Sequence, residues 1–139
     1  MAAFRTCDSS RLIPCLPRAL SDLTDNHLTG GLEPLQSCTA LRELYLSYNQ
    51  LTGTLEPLRG FTALQELELA HNQIQGGLEP LRGCTALREL YMAHNQLTGG
   101  LEPLQDCTAL QYICLPDNQL TATADEKAHF EKQGQLFRI

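Results

Sequence analysis

The stretch NQLTGTLEPLRGFTAL, from Asn49 to Leu64, returns as NQIQGGLEPLRGCTAL from Asn72 and as NQLTGGLEPLQDCTAL from Asn95. An earlier copy, NHLTGGLEPLQSCTAL, starts at Asn26, and each copy begins 23 residues after the one before. No other property of the chain limits its fold so tightly. A constant period of this size belongs to stacked supersecondary units, each too small to bury its own apolar face and each covered by a copy of itself. The chain of 139 residues is long enough for one such stack with a continuous core.

Each column of the repeat has a physical reading. Leu44 and Leu46 alternate with polar residues, as do their equivalents, which is the period of a half-buried strand. Such strands are too short to stand alone, but neighbouring copies can pair in register at about 4.8 Å into a parallel sheet. Leu51, Leu55, Leu58 and Phe61 turn the return segment inward. The Asn column (Asn26, Asn49, Asn72, Asn95, Asn118) falls where the chain leaves the strand, and an amide that both donates and accepts can satisfy backbone groups left open there. The Gly column (Gly30, Gly53, Gly76, Gly99) marks a backbone position of positive φ or close approach. Cys38, Cys84 and Cys107 stand where the remaining full copy has Phe61. A position that accepts either asks for an apolar body, so these thiols read as core filling. Cys7 and Cys15 lie off that column, and whether they form a cap disulfide is left open.

The pattern L-x-x-L-x-L-x-x-N-x-L over about residues 18–130 resembles that of leucine-rich repeat proteins. The return LEPLxxCTAL is similar to the segment found in bacterial internalins and in the phosphatase-regulator type of repeat, with one residue added near Gly53. The N-x-L-T-G element is similar to the plant-receptor type, but Pro57 falls one place later than that pattern requires, which favours short 3₁₀ or helical turns. The resemblance implies an α/β solenoid: a curved horseshoe segment with a parallel concave β-sheet and a convex side of 3₁₀ turns, short helices or irregular chain. It also implies a non-enzymatic adaptor, scaffold or regulatory subunit that binds a protein partner. The expected organisation is an N-terminal cap over 1–17, about five repeats over 18–122, and a helical C-terminal cap over 123–139. In that cap, Thr123 or Asp125 starts the helix, and Phe130 and Leu136 cover the last repeat.

The totals exclude several function classes. A net charge of −6 offers nothing to a nucleic-acid backbone. No apolar run approaches the roughly 20 residues of a membrane span, and Pro14 and Pro17 interrupt the only leader-like stretch, so a cytoplasmic monomer is expected. No nucleophile is paired with a base in a sheltered setting; Ser47 beside His71 reads as a surface neighbour. No glycine loop suited to phosphate appears, and neither an enzyme nor a cofactor is expected.

With the core columns committed, function falls to the outward positions before each Asn. One column reads Leu20, Glu43, Glu66, Glu89, Tyr112; the next reads Asp22, Tyr45, Glu68, Tyr91, Cys114. A third reads Asp25, Tyr48, His71, His94, Asp117, and Arg42 and Arg88 precede the strands. The candidate partner-binding set is therefore Arg42, Glu43, Tyr45, Tyr48, Glu66, Glu68, His71, Arg88, Glu89, Tyr91, His94 and Tyr112, an acidic face rich in Tyr. Tyr and Arg are common interface anchors, and stacked glutamates favour a basic partner. Two alternatives stand beside this reading. His71 and His94, with Asp117 next in line, could hold Zn²⁺, although one duplicated AHNQ explains their spacing without a metal. The array could also be purely structural, with Arg42, Glu43, Arg88 and Glu89 balancing one another.

Overall fold

A computed structural model describes residues 22–139. The expected cap over 1–17, the worn repeat start at Arg18 to Ser21 and the Cys7/Cys15 question lie outside the described residues.

Among the described residues, ten short strands and one α-helix follow the repeat. The strands are β1 (Thr29–Gly30), β2 (Glu43–Tyr45), β3 (Gln50–Leu51), β4 (Glu66–Glu68), β5 (Gln75–Gly76), β6 (Glu89–Tyr91), β7 (Gln96–Gly99), β8 (Tyr112–Cys114), β9 (Gln119–Leu120) and β10 (Leu136–Arg138); α1 covers Ala124–Lys132. Five of them form one parallel sheet in the order β10-β8-β6-β4-β2. Asp22 extends it by a parallel bridge to Tyr45. The other strands make parallel ladders along the flank, β1 with β3 and β5 with β7 and β9, joined by Gln73 N–H donating to Leu51 O at 2.8 Å. The molecule is a curved repeat solenoid with its main sheet on the concave side.

Each unit returns through a single 3₁₀ turn: Glu33–Leu35, Glu56–Leu58, Glu79–Leu81 or Glu102–Asp106. Proline lies in the first turn of all four, where a missing N–H leaves no bond unmade. The apolar columns meet in one unbroken core from Leu28 to Phe130. Phe61, Cys84 and Cys107 occupy the same layer of it and are almost wholly buried. Burial lifts the Cys84 thiol to about 11 and the Cys107 thiol to about 12.

The Asn column ties unit to unit. Asn72 Oδ1 accepts from Leu51 N–H at 2.9 Å, and its Nδ2 donates to Leu46 O at 2.9 Å and Leu69 O at 3.1 Å. Asn49, Asn95 and Asn118 repeat this geometry. Each amide thus reaches from its own turn to the unit before it. To aim inward there, the preceding residue takes a left-handed backbone: φ is 57° at Tyr48, 56° at His71, 54° at His94 and 57° at Asp117. That costs a non-glycine residue about 1–2 kcal/mol, and it is held by cross-unit bonds such as His71 N–H to Ala93 O at 2.9 Å. In the Gly column φ is 82° at Gly53 and 83° at Gly76, conformations that glycine adopts without strain.

Thr123 caps α1 through a reciprocal box with Glu126. Glu126 reaches further: Oε1 also accepts from Leu101 N–H at 2.8 Å and Glu102 N–H at 2.9 Å, closing the last 3₁₀ turn. A side chain at Gly100 would place its Cβ 2.6 Å from that oxygen. Phe130 plugs the core, but Leu136 does not help to cover it and is 65% exposed. Phe137 takes that place, stacked on Phe130 at 5.6 Å, because the residues after α1 form strand β10 and alternation turns Leu136 outward.

Candidate functional site

The outward residues of the sheet form two rows set by strand register. Glu43 lies opposite Glu66, Glu66 opposite Glu89, Glu89 opposite Tyr112 and Tyr112 opposite Leu136. Beside them run Asp22, Tyr45, Glu68, Tyr91, Cys114 and Arg138. Tyr45 donates its hydroxyl to Glu66 Oε2, and Tyr91 donates to Glu89 Oε2 at 3.1 Å.

This surface is electrostatically unbalanced. Among the described residues the ion pairs are Arg59 with Glu56, Arg82 with Glu79, Glu102 and Asp106, and His94 with Asp117. None involves Glu43, Glu66, Glu68 or Glu89, and neither Arg42 nor Arg88 reaches them. The alternative in which Arg42 and Arg88 balance their glutamate neighbours finds no such ion pair among the described residues: adjacent residues on extended chain point in different directions. Partial burial, then the charges of Glu66, Asp22 and Glu89, push the Glu68 carboxyl above the usual carboxylate range. Burial and the bond to Glu89 lift the Tyr91 hydroxyl to about 12, and the Tyr45 hydroxyl is raised by burial and by Glu66.

The third column departs from its expected place. Tyr48, His71 and His94 lie in the left-handed bend beyond the strands, at the rim of the sheet. There they stack, Tyr48 on His71 at 4.3 Å and His71 on His94 at 4.2 Å, and His94 Nε2 meets Asp117 Oδ2 at 3.3 Å. The two imidazoles are 23° from parallel, so their in-plane lone pairs run side by side instead of converging on one ion. Among the described residues, no group of three or more His, Cys, Asp or Glu side chains is gathered as a metal site. Ser47 is buried beneath the rim and accepts from Ala70 N–H at 3.1 Å, so it is no surface neighbour of His71.

Strand β10 adds residues that reasoning from the sequence did not include. Leu136 and Arg138 join Tyr91, Tyr112 and Cys114 around a depression of about 300 Å³ at one end of the concave face. Their signal was present in QLFRI, whose alternation repeats a strand, but Leu136 follows Tyr112 by 24 residues and so falls out of phase.

Comparison with known proteins agrees with this geometry. The Leucine Rich Repeat family model matches residues 40–61, and the two-copy Leucine Rich repeats model matches residues 62–98. The chain is a leucine-rich repeat protein. Internalin C2 of Listeria monocytogenes is similar over 84% of this chain and 48% of its own, with 32% identity and a TM-score of 0.69. The plant peptide hormone receptor RGFR1, in complex with RGF2, is 35% identical over 71% of this chain and 16% of its own, with a TM-score of 0.67. The Arabidopsis receptor kinase HAESA, in complex with the peptide hormone IDA and the co-receptor SERK1, is 27% identical over 76% of this chain and 19% of its own, with a TM-score of 0.69. This leucine-rich repeat protein thus spans less than half the length of each. A comparison with curated proteins gives no match. The leucine-rich repeat is a general protein–protein interaction fold. Among the described residues no helix is long and apolar enough to cross a membrane.

Proposed function

We propose that this repeat protein is a non-enzymatic adaptor whose concave face binds a basic segment of a partner protein. The observation that carries the reading is the row of Glu43, Glu66 and Glu89 beside Glu68, held in register with no ion pair to any of them among the described residues. Like charges opposite one another on a sheet are destabilising, and a Lys- or Arg-bearing partner relieves that repulsion. Tyr45 and Tyr91 stand among the carboxylates with their rings half-buried, offering contact area at low entropic cost. The peptide complexes of the receptor neighbours support a peptide-binding reading, although those proteins are much longer. Cytoplasmic residence is part of the same proposal, supported by Cys84 and Cys107 as reduced core residues.

The test is affinity capture of partners from the native source, followed by titration of the captured partner against wild-type protein and two variants. Tyr45→Ala/Tyr91→Ala and Glu66→Gln/Glu89→Gln are each expected to weaken binding about tenfold or more, with the second also flattening its salt dependence. Full affinity in both, with the fold intact by circular dichroism, would show that the partner binds elsewhere.

A further inference from the structure

The concave face is not uniform along the stack. Carboxylates dominate from β2 to β6, where Glu43, Glu66, Glu68 and Glu89 gather. From β8 onward the same two rows hold Tyr112 and Leu136 in one, Cys114 and Arg138 in the other. Leu136 is 65% exposed and lies in register with Tyr112, itself 38% exposed, so two large apolar side chains stand together facing solvent. They flank the depression of about 300 Å³, with Tyr91 as its wall toward the acidic row and Arg138 at its far side. An apolar hollow beside an acidic stripe is a two-part recognition surface.

We propose that this end of the face is an anchor pocket, and that the ligand is an extended partner segment carrying one apolar side chain followed or preceded by spaced Lys or Arg residues. The proposal rests on the reading of the concave face as a binding surface for a basic segment, and it adds an anchor, a register and a direction. The direction follows from charge. Arg138 repels a cationic side chain from the pocket end, while the glutamates of β2, β4 and β6 attract it to the other.

The register follows from strand spacing. Neighbouring strands lie about 4.8 Å apart, so a hollow over β8 and β10 is about 7 Å from Glu89, about 12 Å from Glu66 and about 17 Å from Glu43. An extended chain advances about 3.3 Å per residue, which places the basic residues about two, four and five positions from the apolar anchor. Side chains on one side of an extended peptide recur at every second position, so the two- and four-residue spacings face the sheet together with the anchor. A depression of about 300 Å³ has room for a Leu-, Met- or Phe-sized side chain.

Selection from a displayed library of random twelve-residue peptides on the full chain tests this, with each enriched peptide then titrated against three variants. Leu136→Asp and Tyr112→Ala change exposed residues and are checked for folding by circular dichroism; Glu66→Gln/Glu89→Gln probes the acidic row. The expected result is enrichment of an apolar residue two and four positions from Lys or Arg. Each of the two pocket variants should then lower affinity about tenfold or more, and Tyr112→Ala, which alters no charge, should leave its dependence on salt unchanged. Enriched basic peptides that carry no apolar residue at that spacing, and that bind Leu136→Asp as well as wild type, would overturn the anchor while leaving the basic-segment reading intact. Peptides indifferent to all three variants, or a library with no enrichment, would overturn both.

Discussion

Replacing Asn72 with Ala should be among the most damaging conservative changes in the molecule, and its cost can be worked from the ladder. Asn72 is 8% exposed. Its Oδ1 is the acceptor for Leu51 N–H at 2.9 Å, a buried donor that would be left open. A buried group stripped of its partner costs about 1–3 kcal/mol. The carbonyls that Asn72 serves fare better: Ala70 O, its longest contact at 3.3 Å, keeps Tyr48 N–H at 2.9 Å, and the two nearer ones belong to an interleaved ladder. Leu46 O keeps Asn49 Nδ2 at 3.0 Å, and Leu69 O keeps Asn95 Nδ2 at 2.8 Å. Losing one of two bonds at each carbonyl adds about 0.5–1 kcal/mol apiece. The sum is about 3 kcal/mol. Asn118→Ala opens Leu97 N–H in the same way, but its site is half-buried and water can replace the amide, so about 1–2 kcal/mol is expected there. Urea unfolding followed by circular dichroism measures both through the shift in midpoint at constant slope. A cost below about 1 kcal/mol for Asn72→Ala, or equal costs for the two variants, would refute the ladder as the source of unit-to-unit stability. A reduced slope would instead mean that the stack had split into separately unfolding halves at unit three.

Three further outcomes follow from the titrating and reactive groups. Because the folded state holds the Glu68 carboxyl above its usual range, that residue's contribution to stability is present at low pH and is lost as pH rises through the raised value. Glu68→Gln should therefore stabilise the protein at neutral pH by about 0.5 kcal/mol, with the gain vanishing by about pH 4, as read from thermal unfolding across that window. Glu126 has the opposite sign: chiefly the Thr123 N–H, with the Leu101 and Glu102 N–H groups, holds its carboxyl low, so its contribution is present at neutral pH and disappears as pH falls through the depressed value. Glu126→Ala should cost about 1–2 kcal/mol at pH 7 and raise hydrogen exchange in α1 and the Glu102–Asp106 turn. Finally, Cys84 and Cys107 should resist a thiol reagent in the native protein while half-buried Cys114 reacts, with peptide mapping after native and denaturing labelling separating them.

How much of this was legible in the sequence differs from column to column, and the differences have physical causes. The core and the Asn ladder could be read directly, because a residue that must meet its own copy every 23 positions is repeated unchanged. Leu55, Leu78 and Leu101 have no freedom to differ, and the Phe61-to-Cys exchange declares its apolar environment by what it tolerates. The left-handed bend was hidden by Tyr48. Asp and His are among the residues that tolerate that backbone, and Asp25, His71, His94 and Asp117 were a usable signal. A Tyr in the same column made the position look like ordinary strand. Strand β10 was hidden for a different reason. The return through nine-residue α1 replaces the short 3₁₀ turn and moves the next strand one residue out of phase, so a search at fixed period passes over QLFRI.

The charge state of the concave face was the least legible feature, and it is the one on which the proposed function turns. Arg42 next to Glu43, and Arg88 next to Glu89, look self-neutralising on paper. On extended chain, neighbours in sequence turn apart, whereas residues 23 apart are brought face to face. Among the described residues these two arginines therefore form no ion pair with the carboxylates, which instead face one another and the hydroxyls of Tyr45 and Tyr91. The repetition that stabilises the core thus concentrates like charge on the surface. Every unit added under the same rule deepens the acidic row, until β8 breaks it with Tyr112 and β10 with Leu136. A scaffold with no ligand gains nothing from holding Glu43, Glu66 and Glu89 in register. A surface that must attract a cationic segment and stop it at a defined place requires both the row and the break.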